Sequence, residues 1–181
     1  MKAIFLDRDG TINQDSQDYI KNLQEFHILP KIPQALKILR DAGYKFFIVT
    51  NQSGIGRGYL SVEKLDEIHN YLTTELKKDD ISILDIFYCP HLPSDECECR
   101  KPKIANVIKA AEKYAVNLTQ SWFIGDSEKD MITGNKAGCK TALVLTGIRG
   151  INRKNTQTWP YKPDIIAEDL LDAAQQIISL E

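Results

Sequence analysis

Short apolar runs of strand length alternate along this chain with stretches of helical periodicity, and no other feature constrains its fold more. Ala3 to Leu6, Lys45 to Thr50, Ile83 to Tyr88, Ser121 to Gly125 and Thr141 to Leu145 read as strands, with a further short one near Asp164 to Ala167. Between them, Ile32, Ala35, Leu36, Leu39 and Ala42 recur at helical intervals, and Gly43 fits a helix C-terminus. Val62, Leu65, Ile68, Leu72 and Leu76 form a second such stripe behind Ser61, a candidate N-cap. Ile104 to Ala115, a short stretch to about Lys136 and Leu170 to Ile178 supply three more helices. Strands that are apolar throughout belong to parallel sheets buried on both faces by crossover helices. The expected fold class is therefore α/β, a parallel sheet with helices on both faces. Its 181 residues suit one domain, taken as 1–181.

Ligands of such sheets bind outside the carboxyl ends of the strands, so the residues that follow each apolar run decide the chemistry. Four strand ends are polar: Asp7-Arg8-Asp9-Gly10, Thr50-Asn51-Gln52-Ser53-Gly54, Arg100-Lys101-Pro102 and Gly125-Asp126-Ser127. In extended backbone, residues two apart point the same way. Asp7 and Asp9 are thus expected to face the crevice, with Arg8 turned away. Two carboxylates this close repel each other unless a cation or a proton lies between them. Mg²⁺ suits this arrangement, because it takes carboxylate oxygens and keeps waters that a phosphate can replace. Asp126 offers another carboxylate, and Asp130, one helical turn on, is expected to support the site from behind.

These residue types compose a phosphoryl-transfer centre. An aspartate oxygen attacks phosphorus, a second carboxylic acid protonates the leaving oxygen, and the Thr50 hydroxyl and Lys101 ammonium stabilise the equatorial oxygens. Each signal alone has a plainer meaning: Asp-Gly after a strand is often a turn, and Gly125-Asp126 a helix cap. A calcium loop also opens D-x-D, but its glycine would fall at Ile12. A phosphoacceptor receiver domain would carry its aspartate after the third strand, where Cys89 stands. It is the set of four, at four strand ends, that points to catalysis.

The four motifs, FLDRDGT, IVTN, RKP and IGDSEKD, resemble those of the haloacid dehalogenase (HAD) superfamily of phosphatases, across about residues 1 to 145. The resemblance implies a Rossmann-like core, an aspartyl-phosphate intermediate on Asp7 and Asp9 as acid/base. It implies Mg²⁺ held by Asp7, the Asp9 carbonyl and Asp126, and the transferring phosphoryl group held by Thr50 and Lys101. No stretch is long enough for a separate cap domain, so a small phosphorylated substrate is expected.

Residues 89–99 carry C-x-H and C-x-C five residues apart. Cys89, His91, Cys97 and Cys99 offer three thiolates and an imidazole, the donor set of a closed, structural Zn²⁺ site. The loop runs directly into Arg100 and Lys101, so the metal is expected to position them. This CPH…CECRKP pattern is similar to two groups, the heptose 1,7-bisphosphate phosphatases and the histidinol-phosphate phosphatases. The spacer in CPHLPSDECECRKPK looks like the histidinol group, whereas NQSGIGRG at residues 51–58 resembles the heptose group and weighs more. Within that loop Asn51, Ser53 and Arg57, with Arg100, are candidate substrate contacts, the arginines for a second phosphate. Histidinol phosphate remains the alternative.

With 23 basic and 25 acidic residues, net charge −2, the chain has no excess to hold nucleic acid. No apolar run reaches the roughly 18 residues of a membrane span. The opening MKAIFL meets Asp7, Arg8 and Asp9 too soon for a secretory leader, so a cytoplasmic monomer with no membrane partner is expected. Cys139 reads as a buried thiol and His69 as a structural histidine.

Overall fold

The structure is a computed structural model that describes residues 1–181. Six strands form one sheet: β1 (Ala3–Leu6), β2 (Lys45–Asn51), β3 (Ile83–Cys89), β4 (Trp122–Gly125), β5 (Lys140–Val144) and β6 (Ile165–Ala167). Every pairing is parallel, in the order β3-β2-β1-β4-β5-β6. Four α-helices connect them and a fifth follows β6: α1 (Ile32–Asp41), α2 (Val62–Lys77), α3 (Ala105–Tyr114), α4 (Glu128–Ala137) and α5 (Leu170–Ser179). The alternation expected from the apolar runs is present, and strand limits differ from it by at most one residue at either end. No helix is long and apolar enough to cross a membrane.

The two-residue period of each strand divides the core into two layers. Ile4, Leu6, Phe46 and Ile48 face α1, α2 and α5, where Leu36, Leu39, Leu65, Leu72 and Ile177 are buried. Ala3, Phe5, Phe47 and Phe123 face the other side, against Val107 and Ala110 of α3 and Ala137 of α4. Each buried Leu or Phe stabilises the fold by about 1.5–3 kcal/mol relative to leaving it in water, so both helical faces are firmly attached. Ser61 caps α2 by accepting from the Lys64 N–H, as its sequence position suggests.

Strand order reverses between β1 and β4. Chain segments leave these neighbours in opposite directions, which opens a crevice at their carboxyl ends. The Asp7 N–H donates to the Ile124 carbonyl at 2.9 Å, so Asp7 and Asp126 end adjacent strands side by side. Residues 147–163, polar and irregular in sequence, contain one short 3-10 turn at Asn155–Thr158 and otherwise run as loop.

Candidate active site

All four strand-end motifs converge on one crevice of about 260 Å³. Asp7, Asp9, Thr50 and Asp126 form its floor, with Asn51, Ser53, Arg57, Arg100 and Lys101 on its walls. Carboxylate oxygens of Asp7, Asp126 and Asp130 lie within 4.8 Å of one another. Lys101, almost fully buried, reaches Asp7 Oδ1 at 2.9 Å and Asp130 Oδ1 at 2.6 Å.

One ammonium among three carboxylates leaves negative charge uncompensated. Burial, followed by repulsion from Asp130 and Asp7, pushes the Asp126 carboxyl up to about 8. Burial likewise lifts Asp7 to about 6, against the pull of Lys101. Carboxyls that would otherwise have to keep protons are the environment a divalent cation relieves. The residues therefore fit Mg²⁺: Asp7 and Asp126 supply hard oxygens, while Asp130 is turned to Lys101 and to the Ser127 N–H at 3.1 Å. Close approach at this point excludes side chains from two neighbours. A Cβ on Gly10, whose φ is +79°, or on Gly147 would overlap the Asp126 carboxylate.

Asp9 is held differently. The Arg8 backbone turns its side chain from the crevice, as the period-two argument requires, yet the guanidinium returns beneath Asp9. It donates to both Asp9 oxygens, at 2.7 and 2.9 Å, from a position with no solvent exposure. Asn13 Nδ2 and Gln52 Nε2 each add a bond at 2.9 Å. Burial alone would raise the Asp9 carboxyl, but Arg8 and these donors hold it below its usual range. Gln52 also donates to the Thr50 hydroxyl at 3.0 Å. His69 is structural: burial and the Arg8 charge push it down to about 3, leaving a neutral ring whose Nε2 lies 3.4 Å from Arg8 Nη1.

Asn51 lines the crevice, but its amide is bonded at both ends to Lys101, donating to the carbonyl at 3.1 Å and accepting from the N–H at 3.0 Å. It therefore orients the lysine that Asp130 anchors. Arg57 donates from Nε to the Tyr19 hydroxyl at 2.8 Å, and the Ser53 hydroxyl with Arg57 holds that phenol below its ordinary range. Tyr19 and Lys129 also line the crevice, with no sequence signal that places them there, and so does Arg149, one of the basic residues of the 147–163 stretch. Tyr19 lies in a connection without periodicity and adopts φ +67°. Lys129 is visible in sequence only as the charge beside Asp130.

Cys89, His91, Cys97 and Cys99 come together at the edge of the crevice. Cys89 Sγ lies 3.5 Å from Cys97 Sγ, which lies 3.6 Å from Cys99 Sγ, and His91 Nδ1 is 3.2 Å from Cys99 Sγ. The cluster touches the substrate walls directly. Arg100 Nη1 donates to the His91 carbonyl at 3.2 Å, and the Gly56 N–H to the Pro90 carbonyl at 3.0 Å. Cys139 is a separate buried thiol, raised by burial to about 12.

The chain aligns over 178 residues, at 37% identity, with the D-glycero-beta-D-manno-heptose-1,7-bisphosphate 7-phosphatase of Pseudomonas putida, covering 98% of this chain and all of that one. The chain belongs to the HAD-type heptose bisphosphate phosphatase family. An enzyme of the same name from Pseudomonas aeruginosa is 42% identical over 144 residues, 80% of this chain and 81% of that one. A family model described as HAD-hydrolase-like matches residues 98–173, which hold Lys101 and Asp126. The crystal structure of D,D-heptose 1,7-bisphosphate phosphatase from B. bronchiseptica, complexed with magnesium and phosphate, superposes with a TM-score of 0.90 at 37% identity, each chain fully covered. Family membership makes this chain a phosphoric monoester hydrolase and agrees with a crevice whose floor is built for a divalent cation and whose walls are basic.

Proposed function

We propose that this chain removes one phosphate from D-glycero-D-manno-heptose 1,7-bisphosphate through a phosphorylated Asp7. The observation that carries this reading is the floor itself: Asp7 lies 2.9 Å from the Lys101 ammonium, beside Asp126, whose carboxyl is raised by burial and by the neighbouring carboxylates. An Asp7 oxygen forms the bond to phosphorus as the bond to the sugar oxygen breaks, and that oxygen takes its proton from Asp9. Thr50 and Lys101 hold the equatorial oxygens in transit. Asp9 then accepts a proton from the water that cleaves the acyl phosphate. The Arg8 contact favours the ionised Asp9 of this second step. Asp7, Asp126 and the Asp9 carbonyl would hold Mg²⁺, which supplies charge neutralisation between nucleophile and phosphate when bound.

Arg57 and Arg100 suit the second phosphate, since a guanidinium grips phosphate bidentately. The deciding assay compares heptose 1,7-bisphosphate with histidinol phosphate under Mg²⁺. The heptose substrate is expected to lead in kcat/KM by about 100-fold or more, the scale on which unpaired polar groups discriminate. The reverse ranking overturns the substrate assignment.

The Cys89, His91, Cys97 and Cys99 cluster is read as a structural Zn²⁺ site. Four ligands around an ion at about 2.3 Å for sulfur and 2.0 Å for nitrogen sit roughly 3.5–3.8 Å apart in a tetrahedron. The sulfur separations of 3.5 and 3.6 Å support that reading. Cys97→Ser is expected to lower bound zinc and, through the loosened Arg100 loop, activity by about tenfold. Full zinc content in the purified variant, by atomic absorption, would remove Cys97 from the ligand set.

A further inference from the structure

One wall of the crevice carries positive charge that no carboxylate pairs. Lys101 and Asp130 bond each other on the floor at 2.6 Å, which brings their chain neighbours Arg100 and Lys129 to the same side. Gly147 packs against Asp126, which carries Arg149, two residues on, over the same mouth. Arg100 uses one N–H on a carbonyl, whereas Lys129 and Arg149 are exposed and make no ion pair with the protein. Partial desolvation, with the charges of Arg100 and Arg149, holds the Lys129 amine below its usual range, which places the three cations within mutual influence. Arg57 also lines the crevice and is tethered to Tyr19.

We infer that Lys129 and Arg149 join Arg100 and Arg57 to seat the phosphate that is not transferred. This rests on the bisphosphate reading above. A phosphate dianion supplies the missing counter-charge, accepting from the Arg forks bidentately and from the Lys as a point charge. Neither residue supports the core, so both can be replaced without loss of the fold.

The test measures kcat/KM for the heptose bisphosphate and for p-nitrophenyl phosphate, which has no second phosphate. In Lys129→Ala and in Arg149→Ala the ratio of the two constants is expected to fall at least about tenfold, and further in the double variant. Lys129→Arg should restore most of it, and Lys136→Ala, an exposed lysine of the same helix outside the crevice, should keep the wild-type ratio. A ratio unchanged in the double variant overturns the inference. So does a parallel loss on both substrates, which would put these cations on the transferred group. If the wild-type enzyme itself shows no preference for the bisphosphate over p-nitrophenyl phosphate, the bisphosphate reading fails, a result distinct from either.

Discussion

Asp7→Asn is expected to lower kcat by about 10⁴-fold or more while the protein stays folded. The amide oxygen is too weak a nucleophile to attack phosphorus, so the covalent route closes. The shape survives because Asn keeps an oxygen where Asp7 Oδ1 accepts from the Arg8 N–H at 2.7 Å and from Lys101 at 2.9 Å. Burial raises the Asp7 carboxyl, so the wild-type fold binds its proton more tightly than the unfolded chain does. Wild-type stability therefore falls as pH rises from the ordinary carboxylate range through the raised value, and the neutral amide lacks that component. In metal-free buffer at pH 7 the variant should melt at the wild-type temperature or slightly above it. Turnover within tenfold of wild type would remove Asp7 as the nucleophile. A melting temperature lower by more than a few degrees would mean that the charge itself holds the β1 end in place.

The sheet and the floor of the site were legible in sequence for one physical reason. Parallel strands buried on both faces must be apolar throughout, so each polar break marks a carboxyl end, and carboxyl ends of neighbouring strands are adjacent. Asp7, Thr50 and Asp126 follow from that alone, whereas Lys101, twelve residues beyond the end of β3 at Cys89, was legible from the RKP motif. The Cys89, His91, Cys97 and Cys99 cluster was legible because four such donors within eleven residues have few other uses. Side chains that reach back escaped the same logic. Arg8 was rightly turned from the crevice by strand periodicity, but a guanidinium on a long stem still returns to Asp9. Asn51 was read as a substrate contact from its place in the loop, and the bonds that occupy its amide depend on Lys101, fifty residues away. Tyr19 and Arg149 lie in connections with no period, where position over the crevice is set by packing of other segments.

Asp130 separates a metal-binding role from a lysine-positioning one, and its removal carries the second large effect. It lies among the acidic oxygens that could meet an ion, yet it is fully buried and its bonds go elsewhere: to Lys101 Nζ, to the Ser127 N–H and to the Ser127 hydroxyl at 2.5 Å. Asp130→Ala removes all three and leaves a buried ammonium with Asp7 as its one carboxylate. Breaking a buried pair costs about 3–5 kcal/mol, and the Asp7 contact that Lys101 keeps favours the lower end. For a chain of this size that corresponds to a fall of roughly 10 °C in Tm. Asp130→Asn retains acceptors for Ser127 and should lose about half as much stability, so activity can be measured on a folded protein. Its kcat is expected to fall by about 100-fold, because Lys101 is no longer aimed at the transferring group. The Mg²⁺ concentration for half-activation should move by less than about threefold, since the carboxylates proposed to hold the ion are Asp7 and Asp126. A large rise in that concentration with kcat preserved at saturating Mg²⁺ would make Asp130 a ligand and leave Lys101 to be oriented by Asn51 and Asp7 alone.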